Sequence, residues 1–456
     1  MKQKVLLLYP SYEGPPLGPP LSLLSLASPL LEAGFQVCIV DGAIDSIEKI
    51  LENEIADSLC VGFSFLTGSM IREAVVLSQL ARRLKPEVPI IFGGWHSTLL
   101  PEQTLCSGLP DMVVRGQGER TLLEIACRLR EGKSPATVTG TSFRVQTQVI
   151  HNPERPAERI DNFPTPAFSL ADFDAYERRT GQRKLPYASS LGCPYACHYC
   201  TDQVFYDRKF NAYPATRVVD EVTDLVARHR LQSVAFLDSN FPVSVRRAVE
   251  IARGFLDAKA SFGWTFQAST DLLCRMSDDE VCLLGQAGVT HMGFGTESAS
   301  ERVLEWMNKK HQRIDEMYET ARKAEVAGIR VTFNLILGYP GETEPDRIET
   351  FRVMSDIFRK HSNVSFSPNI FTPYPGIPIW PQLKTMGVQE PETLDEWANV
   401  DLGSNHLPWL QGEDLRRLKR LLKEFLMTNR NRKMVPKSVV MRRSLLTGQP
   451  LRREVR

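Results

Sequence analysis

Apolar runs and mixed-polarity stretches alternate regularly along the first 130 residues. Residues 4–9 form a nearly unbroken apolar run, as expected of a strand covered on both faces. Residues 21–31 have helical spacing and stop at Gly34, a helix C-terminal signal. Strand runs then occupy 35–40, 59–64, 89–92 and 112–114, with helical stretches at 44–55, 70–84 and 119–130 between and after them. Strand–helix alternation of this kind predicts a doubly wound, flavodoxin-like (Rossmann-like) parallel sheet over residues 1–132.

The pattern breaks at residue 133. Pro135, Pro153, Pro156, Pro164 and Pro166 punctuate a polar stretch, read as a linker over 133–184 with one hairpin around 139–150. Alternation resumes near Leu185. Strand runs at 233–237, 263–268, 290–295, 330–337 and 364–369 are separated by helical stretches at 215–228, 245–258, 278–287 and 314–327. A full or partial β/α (TIM-like) barrel over 185–370 follows, with chemistry at the C-terminal strand ends. Residues 371–456 read as a mostly helical region. Leu415, Leu418, Leu422, Phe425 and Leu426 make one apolar stripe there. From Gln411 onward fourteen Lys/Arg face four Asp/Glu. A docked amphipathic helix with a solvated basic end explains this, and a site for an anionic partner is the alternative. Tyr374, Pro375, Trp380, Trp397 and Trp409 line an apolar pocket or pack as core.

A net charge of +1 over 456 residues gives no reason to expect nucleic acid as partner. No apolar run reaches the roughly 18–20 residues of a membrane span. The N-terminal apolar run is too short for a signal peptide and ends at Pro10, so a cytoplasmic location is expected. Nine cysteines, an odd number with three inside eight residues, do not read as a disulfide framework. Cys38, Cys60, Cys127, Cys274 and Cys282 read as small buried hydrophobes.

Cys193-Pro-Tyr-Ala-Cys197-His-Tyr-Cys200 is spaced C-x3-C-x2-C after a short extended segment and Gly192. Three thiolates on one tight loop can hold three irons of a cubane and leave the fourth open to chelation by a small molecule. A zinc site wants four ligands in separated pairs, and His198, adjacent to Cys197, is badly placed to complete a tetrahedron. Tyr199 is positioned either to pack against a purine or simply to fill the loop.

The motif resembles that of the radical S-adenosylmethionine superfamily, C-x3-C-x-aromatic-C. Three later segments extend the resemblance. The first, Phe236-Leu-Asp238-Ser-Asn240-Phe241, stands where the family binds the S-adenosylmethionine amine, without the family's glycine-glycine-glutamate. A plain turn is the competing reading of Asp238 and Asn240. The second, Gly293-Phe-Gly295-Thr-Glu297-Ser298, resembles G-x-G-x-E-S, where a carboxylate or hydroxyl meets the nucleoside. The third, Gly338-Tyr-Pro340-Gly341-Glu342-Thr343, resembles the segment flanking adenine. The resemblance implies a [4Fe-4S] cluster whose electron cleaves S-adenosylmethionine to a 5'-deoxyadenosyl radical. It also implies a small-molecule substrate and a flavodoxin- or ferredoxin-type electron donor.

The N-terminal strand ends carry Ser64, Thr67, Gly93-Gly94-Trp-His96-Ser97-Thr98 and Gly116-Gln-Gly118-Glu119, a surface for a large ligand or a phosphate. With Pro20 and Leu21, they resemble the cobalamin-binding domain of the B12-dependent class of this superfamily. The axial-histidine motif D-x-H-x-x-G does not occur. His96 is expected to bind the nucleotide tail or satisfy a loop carbonyl rather than ligate cobalt. The resemblance implies cobalamin as a third cofactor and methylation of an unactivated carbon. Oxidative cyclisation or rearrangement is the alternative. A non-catalytic iron–sulfur carrier or corrinoid-sensing protein is the reading from another class.

Overall fold

The computed structural model describes residues 3–14, 16, 18–401 and 407–430, with the backbone alone for 424–430. The first five strand runs form β1 (Lys4–Tyr9), β2 (Gln36–Asp41), β3 (Ser58–Ser64), β4 (Ile90–Gly93) and β5 (Met112–Val114). They lie parallel in the order β2-β1-β3-β4-β5, the flavodoxin-like arrangement. Helices cover both faces, so Val5, Leu6, Leu7 and Leu8 are all buried. The helix expected from residue 44 starts at Ile47. The Asp41 carboxylate accepts from the Ala43 N–H and the Asp45 carboxylate from the Asp41 N–H, so a turn forms first.

The hairpin expected around 139–150 forms as β6 (Thr141–Val145) and β7 (Gln148–His151). It pairs antiparallel onto β5, so the first sheet has seven strands and runs on past residue 132. A three-residue edge strand leaves backbone groups bare unless something covers it. The Asn152 amide fixes the cover by donating to the carbonyls of Ala136 (2.8 Å) and Val138 (3.0 Å).

The second sheet contains β8 (Lys184–Tyr187), β11 (Ser233–Phe236), β12 (Gly263–Ala268), β13 (Val289–Glu297), β14 (Arg330–Leu337) and β15 (Val364–Ile370). All six are parallel and adjacent in chain order, a partial barrel. Between β8 and β11, the short β9 (Ser190–Leu191) and β10 (Asn211–Ala212) pair antiparallel and bracket the cysteine loop. Burial alternates residue by residue along β14 and β15, placing Phe333 and Phe366 on one buried face.

Residues 371–401 return to the first sheet. The Trp397 indole N–H donates to Gln103 Oε1 at 2.9 Å, and the Gln103 amide donates to the Pro391 carbonyl at 3.2 Å. Trp380 and Trp397 are buried edge to face, 6.1 Å between ring centroids. With the Trp409 indole donating to the Gly338 carbonyl, these tryptophans pack as core and lid. Leu418 and Leu422 of the helix Gly412–Arg430 are buried, as a docked amphipathic helix requires. The Phe425 and Leu426 side chains and the basic chain beyond residue 430 lie outside the described residues.

Candidate active site

The cysteine loop leaves β9 through Gly192, whose φ is +79°. A Cβ there would stand 2.1 Å from the Lys209 carbonyl oxygen, so only glycine fits. Cys193, Cys197 and Cys200 then fall on one loop above the barrel's C-terminal strand ends. Burial pushes all three thiols up, Cys200 to about 12. Thiols held neutral in this way become thiolates when they ligate a metal. Among the described residues no three His, Cys, Asp or Glu side chains are gathered around a single metal-ion position. His198, adjacent to Cys197, has its Nδ1 3.1 Å from the Trp306 carbonyl. The loop is tied from outside by the Asn308 amide, which donates to the Ala196 carbonyl at 2.8 Å, and by Gln203, which donates to the Cys197 carbonyl.

Beside the loop lies a buried polar triad. Tyr199 donates to Glu297 Oε1 (2.8 Å), Lys309 Nζ donates to the Tyr199 hydroxyl (3.1 Å), and Lys309 and Glu297 are 3.6 Å apart. A bulge between Gly295 and Glu297 at the end of β13 puts Glu297 at φ +59°, a strained conformation for a side-chain-bearing residue. Ser298 is fully buried, its hydroxyl 3.1 Å from that of Thr350 and accepting from the Ser300 N–H. Asn240 exchanges hydrogen bonds with Ser269 and reaches the Cys193 thiol. Asp238 is buried against Ser189 and Ser190. Gly338 and Gly341 frame a turn packed on Trp306, and the Gly338 N–H donates to the Glu342 carboxylate. Tyr195 stacks on His311 with 3.6 Å between centroids and donates to Asp271.

Five buried polar atoms with no partner, Asp271 Oδ1, His311 Nε2, Gln312 Oε1, Tyr339 Oη and Glu342 Oε1, lie on the segments leaving β12, β13 and β14. Each such atom costs about 1–3 kcal/mol. Five together rival the roughly 5–15 kcal/mol that holds a domain folded. A polar ligand that met them would remove that penalty.

The first sheet presents a different surface. A cavity of about 1220 Å³ opens at its C-terminal strand ends, larger than the roughly 300–1,000 Å³ of most small-molecule sites. Leu21, Ser64, Gly93, Gly94, Gly116, Gly118 and Glu119 line it. Pro20, Thr67 and His96 do not. Pro20 caps the helix Leu21–Glu32, and His96 turns into the core against Trp397 with its Nδ1 2.9 Å from Thr67 Oγ1. Burial lowers the His96 pKa to about 4. The far wall of the same cavity is Ala188, Leu191, Val204, Phe205, Tyr206 and Leu237, which flank the cysteine loop or follow β11. Trp95 crosses between the walls, stacked on Phe205 at 4.3 Å.

The family model described as "Radical SAM superfamily" matches residues 187–354, and that of the "B12 binding domain" matches residues 13–126. The chain belongs to the cobalamin-dependent radical S-adenosylmethionine enzymes. An uncharacterized methyltransferase from Pyrococcus horikoshii is 29% identical over 375 residues, 80% of this chain and 78% of that protein. The anaerobic magnesium-protoporphyrin IX monomethyl ester cyclase of Rubrivivax gelatinosus is 24% identical over 397 residues, 83% of this chain and 70% of that protein. The radical S-adenosylmethionine methyltransferase TsrM from Kitasatospora setae, solved with tryptophan and an S-adenosylmethionine analogue, shares the fold. Its TM-score is 0.72 at 19% identity, covering 85% of this chain and 77% of that one.

The cofactors of this radical S-adenosylmethionine enzyme are a [4Fe-4S] cluster, S-adenosylmethionine and cobalamin. Its residues fit all three. Three thiols share one loop, unpartnered polar atoms lie on the segments leaving β12, β13 and β14, and a glycine-edged cavity of macrocycle size is walled in part by residues flanking that loop. Lys309, Asp271 and His311 carry no recognisable spacing and were not foreseen from sequence, whereas Tyr195 and Trp95 stand inside the cysteine and glycine segments with no role read for them there. Lys309 is 110 residues from its Tyr199 partner. Among the described residues no helix is long and apolar enough to cross a membrane.

Proposed function

We propose that this enzyme methylates an unactivated carbon of a small-molecule metabolite, with Cys193, Cys197 and Cys200 as the cluster ligands. One observation carries the reading: a single cavity is walled by the glycine-edged sheet on one side and by residues flanking the cysteine loop on the other. When bound, the cofactors supply an electron to cleave S-adenosylmethionine and a transferable methyl group. The chain's own residues bind, orient and shield. Lys309 and Tyr199 hold the Glu297 carboxylate where a nucleoside hydroxyl can meet it. Gly338 and Gly341 shape the turn beside that place. The Trp95–Phe205 stack and the Trp409 lid keep water from a chamber in which a carbon radical must survive. On this reading residues 1–132 seat the corrin, 133–184 connect, 185–370 carry the cluster and the described residues of 371–430 close over both. The cell compartment is cytoplasmic, and a flavodoxin- or ferredoxin-type protein supplies the electrons.

Oxidative cyclisation is the second reading, favoured by the similarity to the protoporphyrin ester cyclase. Incubating the reduced, cobalamin-loaded enzyme with candidate substrates and methyl-labelled S-adenosylmethionine separates the two. Label on a substrate carbon is expected. An unlabelled product two hydrogens lighter would replace methylation with cyclisation.

A further inference from the structure

The cysteine loop is held at its root by a buried carboxylate. Asp238 follows β11 and is 1% exposed. Its Oδ1 accepts from the Ser189 N–H at 2.8 Å, and its Oδ2 accepts from the hydroxyls of Ser189 (2.6 Å) and Ser190. Arg247, also buried, reaches the same place from the helix Val245–Asp257. It donates to the Ser189 carbonyl at 2.8 Å and, through Nε, to the Tyr213 carbonyl at 2.7 Å. Four hydrogen bonds thus converge on Ser189 and Ser190, the last residues before Leu191, Gly192 and Cys193. On the other side, Ser190 pairs with Ala212 in the β9–β10 ladder. Beyond it, Gly192 sits under the Lys209 carbonyl.

We propose that Asp238, together with Arg247, is a positioning residue that fixes the root of the cysteine loop, and not the ligand for the amine of S-adenosylmethionine. The resemblance to the family's amine-binding segment points to that second role, but the geometry opposes it. Both carboxylate oxygens already accept from the strap, and two of their donors are the buried hydroxyls of Ser189 and Ser190. With the carboxylate 1% exposed and enclosed by these donors, an ammonium could reach it only by moving the strand that orients Cys193. Buried acceptors that satisfy a metal loop from behind act like the outer partners of metal ligands, whose loss weakens the site without touching the ion.

The proposal rests on the assignment of the cluster to the three cysteines and not on methyl transfer, so its test uses no product. Full-length Asp238→Asn and the double variant Ser189→Ala/Ser190→Ala are reconstituted with iron and sulfide. Two quantities are read: the rate of iron release to a chelator, and the half-saturating S-adenosylmethionine concentration from the change in the reduced cluster's electron paramagnetic resonance spectrum. Both variants are expected to release iron about 10-fold faster or more, with half-saturation moved by less than about twofold. The proposal is overturned if Asp238→Asn weakens S-adenosylmethionine about 10-fold with iron release unchanged. It is equally overturned if the serine variant keeps its iron at the wild-type rate. Should Asp238→Asn fail to fold, the serine variant decides alone, because it frees the carboxylate to meet an ammonium while removing the strap.

Discussion

The two binding surfaces of this enzyme are built on opposite principles. At the edge of the first sheet, Gly93, Gly94, Gly116 and Gly118 line a wide cavity with backbone, and the imidazole of His96 is turned away. At the barrel mouth, side chains do the work: a Tyr199–Glu297–Lys309 triad, a Tyr195–His311 stack and five polar atoms awaiting partners. A macrocycle is held by shape over a large area, so removing side chains makes room for it. A small charged cosubstrate offers little area and must be held by directed polar contacts, each worth more because the site is dry.

The sharpest way to separate the two surfaces is at the cysteines. Cys193→Ala, Cys197→Ala or Cys200→Ala is expected to abolish 5'-deoxyadenosine formation and cut iron content, while cobalamin still co-purifies at wild-type stoichiometry. Parallel loss of cobalamin would mean the surfaces are not independent. Next is Glu297→Gln, which leaves Lys309 as a buried charge without its carboxylate. Breaking one side of a buried pair costs about 3–5 kcal/mol. A denaturant midpoint matching wild type would show that the pair does not bear on the fold.

How much of this was readable beforehand follows the same division. Both sheets and the three-cysteine loop were legible because they depend on local signals, apolar periodicity and close spacing. The glycine edge was legible for the same reason, since glycines at strand ends stand out in one dimension. The triad was half visible. Glu297 and Tyr199 stand in recognisable segments, whereas Lys309 reads as one of two adjacent surface lysines until the fold brings it back. The pairing of β6 on β5 was not legible, because prolines on either side of residues 141–151 spoke for a linker and nothing local says which edge lacks a neighbour. The place of His96 was missed because a histidine in a glycine-rich loop looks ligand-facing, while burial against Trp397 settles it otherwise.

The contrast can be pressed with pH. Burial raises the Glu342 carboxyl to about 7 from 4.5. The folded state therefore holds a proton that the unfolded state releases, and the stabilisation present below pH 4.5 is lost as pH rises to 7. The shift corresponds to about 3 kcal/mol. Glu342→Gln should flatten the fall in unfolding free energy between pH 5 and pH 7, about where the window lies. The glycine edge is probed differently. There Gly94→Ala tests shape alone. Its φ is +88°, and the added Cβ would stand 2.8 Å from the Phe65 carbonyl oxygen. A strained residue of this kind costs about 1–3 kcal/mol. Cobalamin occupancy should fall while S-adenosylmethionine binding holds, and the reverse pattern would contradict the assignment of the surfaces.

Trp95 is the residue that joins what the comparison divides. It belongs to the glycine edge by sequence, yet its ring lies on Phe205, five residues after Cys200. Tyr206 meets it edge-on at 5.7 Å. An offset aromatic pair contributes about 0.5–1.5 kcal/mol beyond burial. Trp95→Leu and Phe205→Leu, singly and together, form a double-mutant cycle whose coupling term should be about 1 kcal/mol in unfolding free energy. A term near zero would mean that the two walls of the cavity merely touch. A term of the expected size makes the stack a mechanical link. A ligand that displaces Trp95 at the sheet edge would then also loosen the helix Asp202–Phe205 directly behind the cysteine loop, so cobalamin loading should be visible as a change in how readily a chelator reaches the iron.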